Sequence, residues 1–204
     1  MIAHLPHWSP GQRIGLFGGT FNPPHEGHLV IALYALKRLR LDRVWWLVTP
    51  GNPLKENDGL PSLAERMTAA RALAHDPRLA VTGFEAEIGA RYTADTIAYL
   101  RRRAPGVRFV WIMGADNLRQ FHLWRRWRET AACVPIAVVG RPGSTLRAVS
   151  SPAGGYLSQY RIAETQAAIF ADIFPPAFIF LHGPQSKLSS SAIRSANRPD
   201  KTAG

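Results

Sequence analysis

One cysteine, three methionines and fourteen acidic residues, set against twenty-five lysines and arginines, mark what this 204-residue chain is short of. The single cysteine, Cys133, excludes an internal disulfide and fits a reducing cytoplasm. Its neighbours Ala131, Ala132 and Val134 carry nothing that would lower a thiol pKa, so Cys133 reads as a small buried filler and not as a nucleophile. No apolar run approaches the ~20 residues of a membrane helix, and residues 1–11 lack the charged start and apolar centre of a signal peptide. The expectation is a cytoplasmic protein with no membrane attachment. Three signatures are also missing: the dinucleotide-binding G-x-G-x-x-G, the P-loop G-x-x-x-x-G-K-[ST] and the zinc-protease H-E-x-x-H. A dinucleotide dehydrogenase or a P-loop kinase is therefore poorly supported.

The shortage of acids leaves a formal net charge of +11. Nucleic acid and small polyanionic substrates are the partners such a charge suits. Solvated helix faces explain part of the excess, as in Arg101-Arg102-Arg103 and Arg125-Arg126-Trp127-Arg128. Hydrophobic residues make up 46% of the chain, enough to bury a core within one domain spanning residues 1–204, with 1–11 and 197–204 as flexible ends.

Strand-like and helical patterns alternate. Strands are expected at 13–17, 43–48, 79–81, 107–113, 134–139 and 177–181. Helices are expected at 27–39, 62–75, 93–103, 120–130, 158–173 and 189–196, with Ser62 capping the second. Val44-Trp45-Trp46-Leu47-Val48 and the run 134–139 are apolar throughout, as strands covered on both faces are. The fold class is α/β: a Rossmann-like, doubly wound, mainly parallel sheet flanked by helices, with ligands beyond the carboxyl ends of the strands. The connections 49–61 and 141–155 are rich in glycine and proline and read as working loops, the second a mobile surface segment.

Gly15-Leu16-Phe17-Gly18-Gly19-Thr20-Phe21-Asn22-Pro23-Pro24-His25-Glu26-Gly27-His28 joins the first strand to the first helix. Glycines that let a backbone approach a ligand, followed by the unpaired N–H groups of a helix start, make an anion site. His25 and His28, three apart, fall on one side of that helix. Metal ligation, helix capping and phosphate contact are all open to the pair; the glycines upstream favour phosphate. Near the other end, Lys187-Leu188-Ser189-Ser190-Ser191-Ala192-Ile193-Arg194 repeats the arrangement, with hydroxyls at a helix start and an arginine one turn on.

These two segments resemble those of the H/T-x-G-H nucleotidylyltransferases. Further blocks narrow the resemblance to the bacterial nicotinate-nucleotide adenylyltransferases and extend it over nearly the whole chain: Pro50-Gly51-Asn52-Pro53-Leu54-Lys55, Tyr92-Thr93-Ala94-Asp95-Thr96, Met113-Gly114-Ala115-Asp116-Asn117 with Phe121-His122-Leu123-Trp124, and Arg141-Pro142-Gly143. The resemblance implies that ATP and nicotinate mononucleotide give nicotinate adenine dinucleotide and pyrophosphate, by direct attack of the mononucleotide phosphate on the α-phosphorus. It implies catalytic roles for His25, His28, Lys55 and Arg194. ATP would be held by Gly18, Gly19, Thr20, Phe21, His25, His28, Ser190, Ser191 and Arg194. Thr93, Asp116, Trp124 and Arg125 would hold the mononucleotide, with Trp124 stacked on the pyridine. Mg²⁺ would travel with ATP, with no metal site in the protein. Asp95 is expected to support the helix start at Thr93.

The chain departs from the family pattern at Asn22, Pro24, Asn52-Pro53-Leu54 and Arg125, the last standing where an aromatic is usual. The alternatives are another adenylyltransferase, acting on nicotinamide mononucleotide or pantetheine phosphate, and a nucleotide- or nucleic-acid-binding protein without turnover. Two phosphate-facing motifs favour turnover and make nucleic acid an unneeded partner. The oligomeric state is not legible.

Overall fold

The computed structural model describes residues 3–51, 59–140 and 148–183. A seven-stranded, wholly parallel sheet runs through them: β1 (Arg13–Gly19), β2 (Arg43–Val48), β3 (Leu79–Thr82), β4 (Arg108–Gly114), β5 (Ile136–Gly140), β6 (Arg161–Ile162) and β7 (Phe178–His182). Their spatial order is β3-β2-β1-β4-β5-β7-β6. The chain winds outward from β1 through β2 to β3, then returns to β4 on the other side of β1. The expected doubly wound topology is present, and its switch point lies between β1 and β4.

Two cores cover the sheet. On one face Ile14, Leu16, Trp45, Trp111 and Met113 meet α3 (Phe84–Glu87), α4 (Thr93–Arg103), α5 (Ala115–Phe121), α6 (Trp127–Cys133) and α7 (Pro152–Leu157). On the other, Phe17, Trp46, Val110 and Ile112 meet α1 (Glu26–Arg38), α2 (Leu63–Leu73) and a 3₁₀ segment at Glu164–Asp172. Ser62 caps α2 as expected: its hydroxyl accepts from Glu65 N–H at 3.2 Å, while Glu65 accepts from Ser62 N–H at 2.8 Å.

Four expectations are corrected. The stretch 120–130 is not one helix; α5 and α6 flank a turn at residues 122–126, where Arg126 is left-handed (φ 59°) and Trp124 packs edge-on to Trp111 and Phe121. The stretch 158–173 is not α-helical, because Arg161–Ile162 pairs with Phe178–Ile179 as an edge strand between two 3₁₀ segments. Residues 148–155, expected as a mobile surface loop, contain the start of α7: Ser151 caps it, accepting from Gly154 N–H at 3.1 Å, and Ala148 and Ala153 are buried. Residues 3–11 are no flexible end. Ala3 N–H donates to Tyr99 Oη at 3.1 Å, His4 N–H to Glu87 at 2.8 Å, and Leu5 and Trp8 pack against the core. The expected helix at 189–196, the flexible end 197–204 and residues 141–147 of the second loop lie outside the described residues.

Glycines of β1 set how closely its neighbours approach. A Cβ on Gly15 would lie 2.4 Å from Ile112 Cδ1 and 2.8 Å from Leu41 Cδ1; one on Gly18 would lie 2.7 Å from the Trp111 ring. Both sites are filled by core side chains, so Gly15→Ala is expected to destabilise the protein by about 1–3 kcal/mol through overpacking. Urea unfolding followed by tryptophan fluorescence measures this; an unchanged midpoint would contradict it.

Candidate functional site

β1 ends at Gly19, beside the switch point, and residues 20–25 turn the chain into α1. Phe21, at φ 48°, makes the reversal, and its ring stacks on Trp46 with 5.0 Å between centroids. The Phe21 side chain is thus core, which leaves only its backbone available to a ligand. Gly18 likewise owes its missing side chain to Trp111, whereas a Cβ on Gly19 would make only ordinary contact with Phe21.

His25 is the N-cap of α1 and is buried. Its backbone N–H donates to Nδ1 of His28 at 3.2 Å, and the two rings lie 3.8 Å apart between centroids, tilted by 32°. Capping is therefore real, and the nitrogen it engages is Nδ1 of His28. With Nδ1 accepting, the neutral ring carries its proton on Nε2, which becomes a donor. Imidazole lone pairs lie in the ring plane, so two rings stacked this closely do not aim theirs at one ion. Among the described residues no group of three or more His, Cys, Asp or Glu is placed to hold a metal.

Across the switch point, β4 ends at Gly114 and runs directly into α5, placing Asp116 exposed in that helix's first turn. Thr93 is the first residue of α4, and Tyr92 stands at the N-cap position without a side-chain cap hydrogen bond. Trp124 is half-buried after α5, packed against Phe121 with 5.3 Å between centroids. The two arginines that follow tie this turn to the start of α4. Arg125 lies over the Tyr92 ring at 5.5 Å, and Arg126 pairs with Asp95 and, at 2.6 Å, with Glu129. Asp95 thus supports the region of the helix start, through Arg126. Arg125, a departure from the expected pattern, is held over the Tyr92 ring. Lys55, Ser190, Ser191 and Arg194 lie outside the described residues.

Sequence reasoning missed two buried residues of charged type, Arg66 and Glu85. Arg66, 3% exposed, donates to the carbonyls of Pro61, Thr20, Thr49 and Pro50 at 2.7–3.1 Å. Its spacing was the available signal: Leu63, Arg66, Met67 and Ala70 form the inward stripe of α2. Burial draws its guanidinium below the usual arginine value. Glu85, 6% exposed, accepts from the Thr96 hydroxyl at 2.6 Å.

A doubly wound sheet whose strand–helix turn at the switch point presents N–H groups and a donor imidazole defines a nucleotide-handling α/β protein. The comparisons make this specific. The family model described as cytidylyltransferase-like matches residues 16–196. Relatives carrying the name "Probable nicotinate-nucleotide adenylyltransferase" include that of Bradyrhizobium sp. (strain ORS 278), 60% identical over 90% of this chain and 95% of its own length. Another, from Methylorubrum extorquens, is 58% identical over 90% of this chain and 99% of its own length. The chain belongs to the cytidylyltransferase-like family and, within it, to the nicotinate-nucleotide adenylyltransferases. In fold it is similar to the Plasmodium falciparum nicotinic acid mononucleotide adenylyltransferase solved with NaAD, with a TM-score of 0.67 at 14% identity over 90% of this chain and 83% of that one. No helix among the described residues is long and apolar enough to cross a membrane.

Burial pushes the Glu85 carboxyl up to about 7 from its ordinary 4.5, with the Thr96 hydroxyl pulling the other way. Between those values the folded protein keeps a proton that the unfolded chain has lost. The stability of the neutral form is therefore complete below about pH 4.5 and declines as pH rises to about 7, then levels off. Glu85→Gln should escape this, becoming more stable relative to wild type by on the order of 3 kcal/mol between pH 5 and 8. Thermal melts across that range test it; parallel profiles would count against a buried, titrating Glu85.

Proposed function

We propose that the protein joins ATP and nicotinate mononucleotide into nicotinate adenine dinucleotide, releasing pyrophosphate. The observation that carries this reading is the His25–His28 pair at the N-terminus of α1, with its donor nitrogen on His28, at the switch point of the sheet. An oxygen of the mononucleotide's 5′-phosphate attacks the α-phosphorus of ATP. The bond from that phosphorus to the bridging oxygen of the leaving pyrophosphate breaks, and its electron pair leaves with pyrophosphate. No protein nucleophile or general base is required, because the attacking oxygen is already anionic.

Catalysis is then positioning and charge stabilisation. Nε2–H of His28 donates to the α-phosphoryl group as charge builds there, and the N–H groups and dipole of α1 favour the same anion. Lys55 and Arg194 neutralise the β- and γ-phosphates, and Ser190 and Ser191 donate to them. Mg²⁺ carried in with ATP would supply further neutralisation of the departing pyrophosphate. For the second substrate, Trp124 stacks on the pyridine, Thr93 and nearby backbone donate to its carboxylate, and Asp116 accepts from ribose hydroxyls. Arg125 and Arg126 hold the Trp124 turn against the start of α4, keeping the two sides of that pocket at a fixed spacing. The cytoplasm is the proposed location, in keeping with a single cysteine and no described helix able to cross a membrane.

Pyrophosphate release from ATP with each candidate mononucleotide tests the reading. The acid should exceed the amide in kcat/KM by a large factor, because donors placed for a carboxylate are left unpaired by other groups; a preference for the amide would overturn the substrate assignment. His28→Ala should lower kcat by about 10²–10³ while KM for either substrate changes little, as expected for a donor that acts chiefly in the transition state. Loss confined to KM would argue against that role.

A further inference from the structure

Arg66 stands apart from the other arginines of the described residues. Arg13, Arg38, Arg78, Arg108 and Arg126 pair with carboxylates at half-exposed or exposed positions. Arg66 is buried, and each of its hydrogen-bond partners among the described residues is a backbone carbonyl oxygen: Nε donates to Pro61 at 2.9 Å, Nη1 to Thr20 at 2.9 Å and Thr49 at 2.7 Å, and Nη2 to Pro50 at 3.1 Å. Among the described residues no carboxylate pairs with it. Burying a guanidinium is expensive to keep for stability alone.

The place of these carbonyls is informative. Regular β1–β2 pairing ends at Gly19 and Val48, with one further bond from Thr49 N–H to the Gly19 carbonyl at 3.0 Å. Beyond it the two chains diverge, and the guanidinium takes over as their common partner. The peptide bonds after Thr20 and Pro50 are trans, so each N–H points opposite to its carbonyl. Carbonyls held inward on Arg66 therefore turn the N–H groups of Phe21 and Gly51 away from it. Neither N–H is paired with another described group.

We propose that Arg66 is a positioning residue for the polyphosphate of the nucleotide: by gripping the Thr20 and Pro50 carbonyls it sets the Phe21 and Gly51 N–H groups as phosphate donors and fixes the peptide that leads into His25 and His28. The inference rests on the adenylyltransferase reading above. Arg66 touches no substrate, and its charge adds to the positive potential beneath the site without forming an ion pair with the ligand.

The test separates positioning from simple structural support. Arg66→Lys keeps the charge but loses the fork that reaches several carbonyls. It should raise KM for ATP at least tenfold and lower kcat, with KM for nicotinate mononucleotide changed less than twofold. Asp172→Asn, which loosens the Arg13–Asp172–Arg108 cluster elsewhere on the sheet, serves as a stability control and should leave both KM values unchanged. If Arg66→Lys lowers only Tm, or raises both KM values equally, the proposal is overturned. A second measurement needs no variant: amide hydrogen exchange of the wild-type protein with and without α,β-methylene ATP, in the absence of mononucleotide. Exchange at Phe21 and Gly51 should slow at least tenfold, and unchanged exchange at both despite bound analogue overturns the inference alone. A wild-type protein that neither binds the analogue nor releases pyrophosphate with both substrates overturns the parent reading and this inference with it.

Discussion

Parallel strands satisfy one another's backbone groups only while they run side by side. Where β1 and β2 separate, at Thr20 and Thr49, and where α1 begins, at His25, peptide groups must find other partners or lose free energy. The solutions adopted there are polar side chains at buried or half-buried positions: the Arg66 guanidinium beneath the Thr20, Thr49 and Pro50 carbonyls, and the Nδ1 of His28 beside the His25 N–H. Each leaves a donor facing elsewhere. The inward-held carbonyls turn N–H groups away from Arg66, and the engaged Nδ1 assigns the His28 proton to Nε2. Capping by Nδ1 of His28 and the phosphate contact proposed for its Nε2 are therefore compatible uses of one ring.

The glycines of β1 belong to the same constraint. Gly15 admits Ile112 and Leu41 on one face of the strand, and Gly18 admits Trp111 on the other. The parallel ladder between β1 and β4 places the exit of β1 beside Gly114 and α5. At Gly15 and Gly18 the glycine-rich appearance of the segment therefore reflects packing within the sheet.

What the sequence made legible follows from signal strength. Apolar runs such as 43–48 located the strands because burial on both faces leaves no polar position to blur the pattern. The β1–α1 segment was readable because glycine, proline and histidine each carry a distinct backbone or chemical meaning. The turn at Trp124 was hidden, since 120–130 has adequate helix propensity and only tertiary packing of Trp124 on Trp111 and Phe121 breaks it. The edge strand Arg161–Ile162 is two residues long, too short for any periodicity, and exists because β7 offers it a partner. Arg66 and Glu85 were overlooked because a charged residue at a helix stripe position is ordinarily taken for surface.

The basic charge is also clearer in the folded chain. Several arginines act as connectors: Asp172 is shared by Arg13 and Arg108, Glu164 by Arg38 and His182, and the turn after Trp124 is fastened through Arg125 and Arg126. A guanidinium suits this because its planar fork reaches several acceptors at fixed angles, which a lysine ammonium does not. In direct phosphoryl transfer no group of the protein has to react, so the rate depends on how well two anionic substrates are held against each other. In the proposed reaction that requirement falls to connections within the protein: Arg66 fastens the β1–β2 side of the switch point, and Arg125 and Arg126 fasten the Trp124 turn to the start of α4.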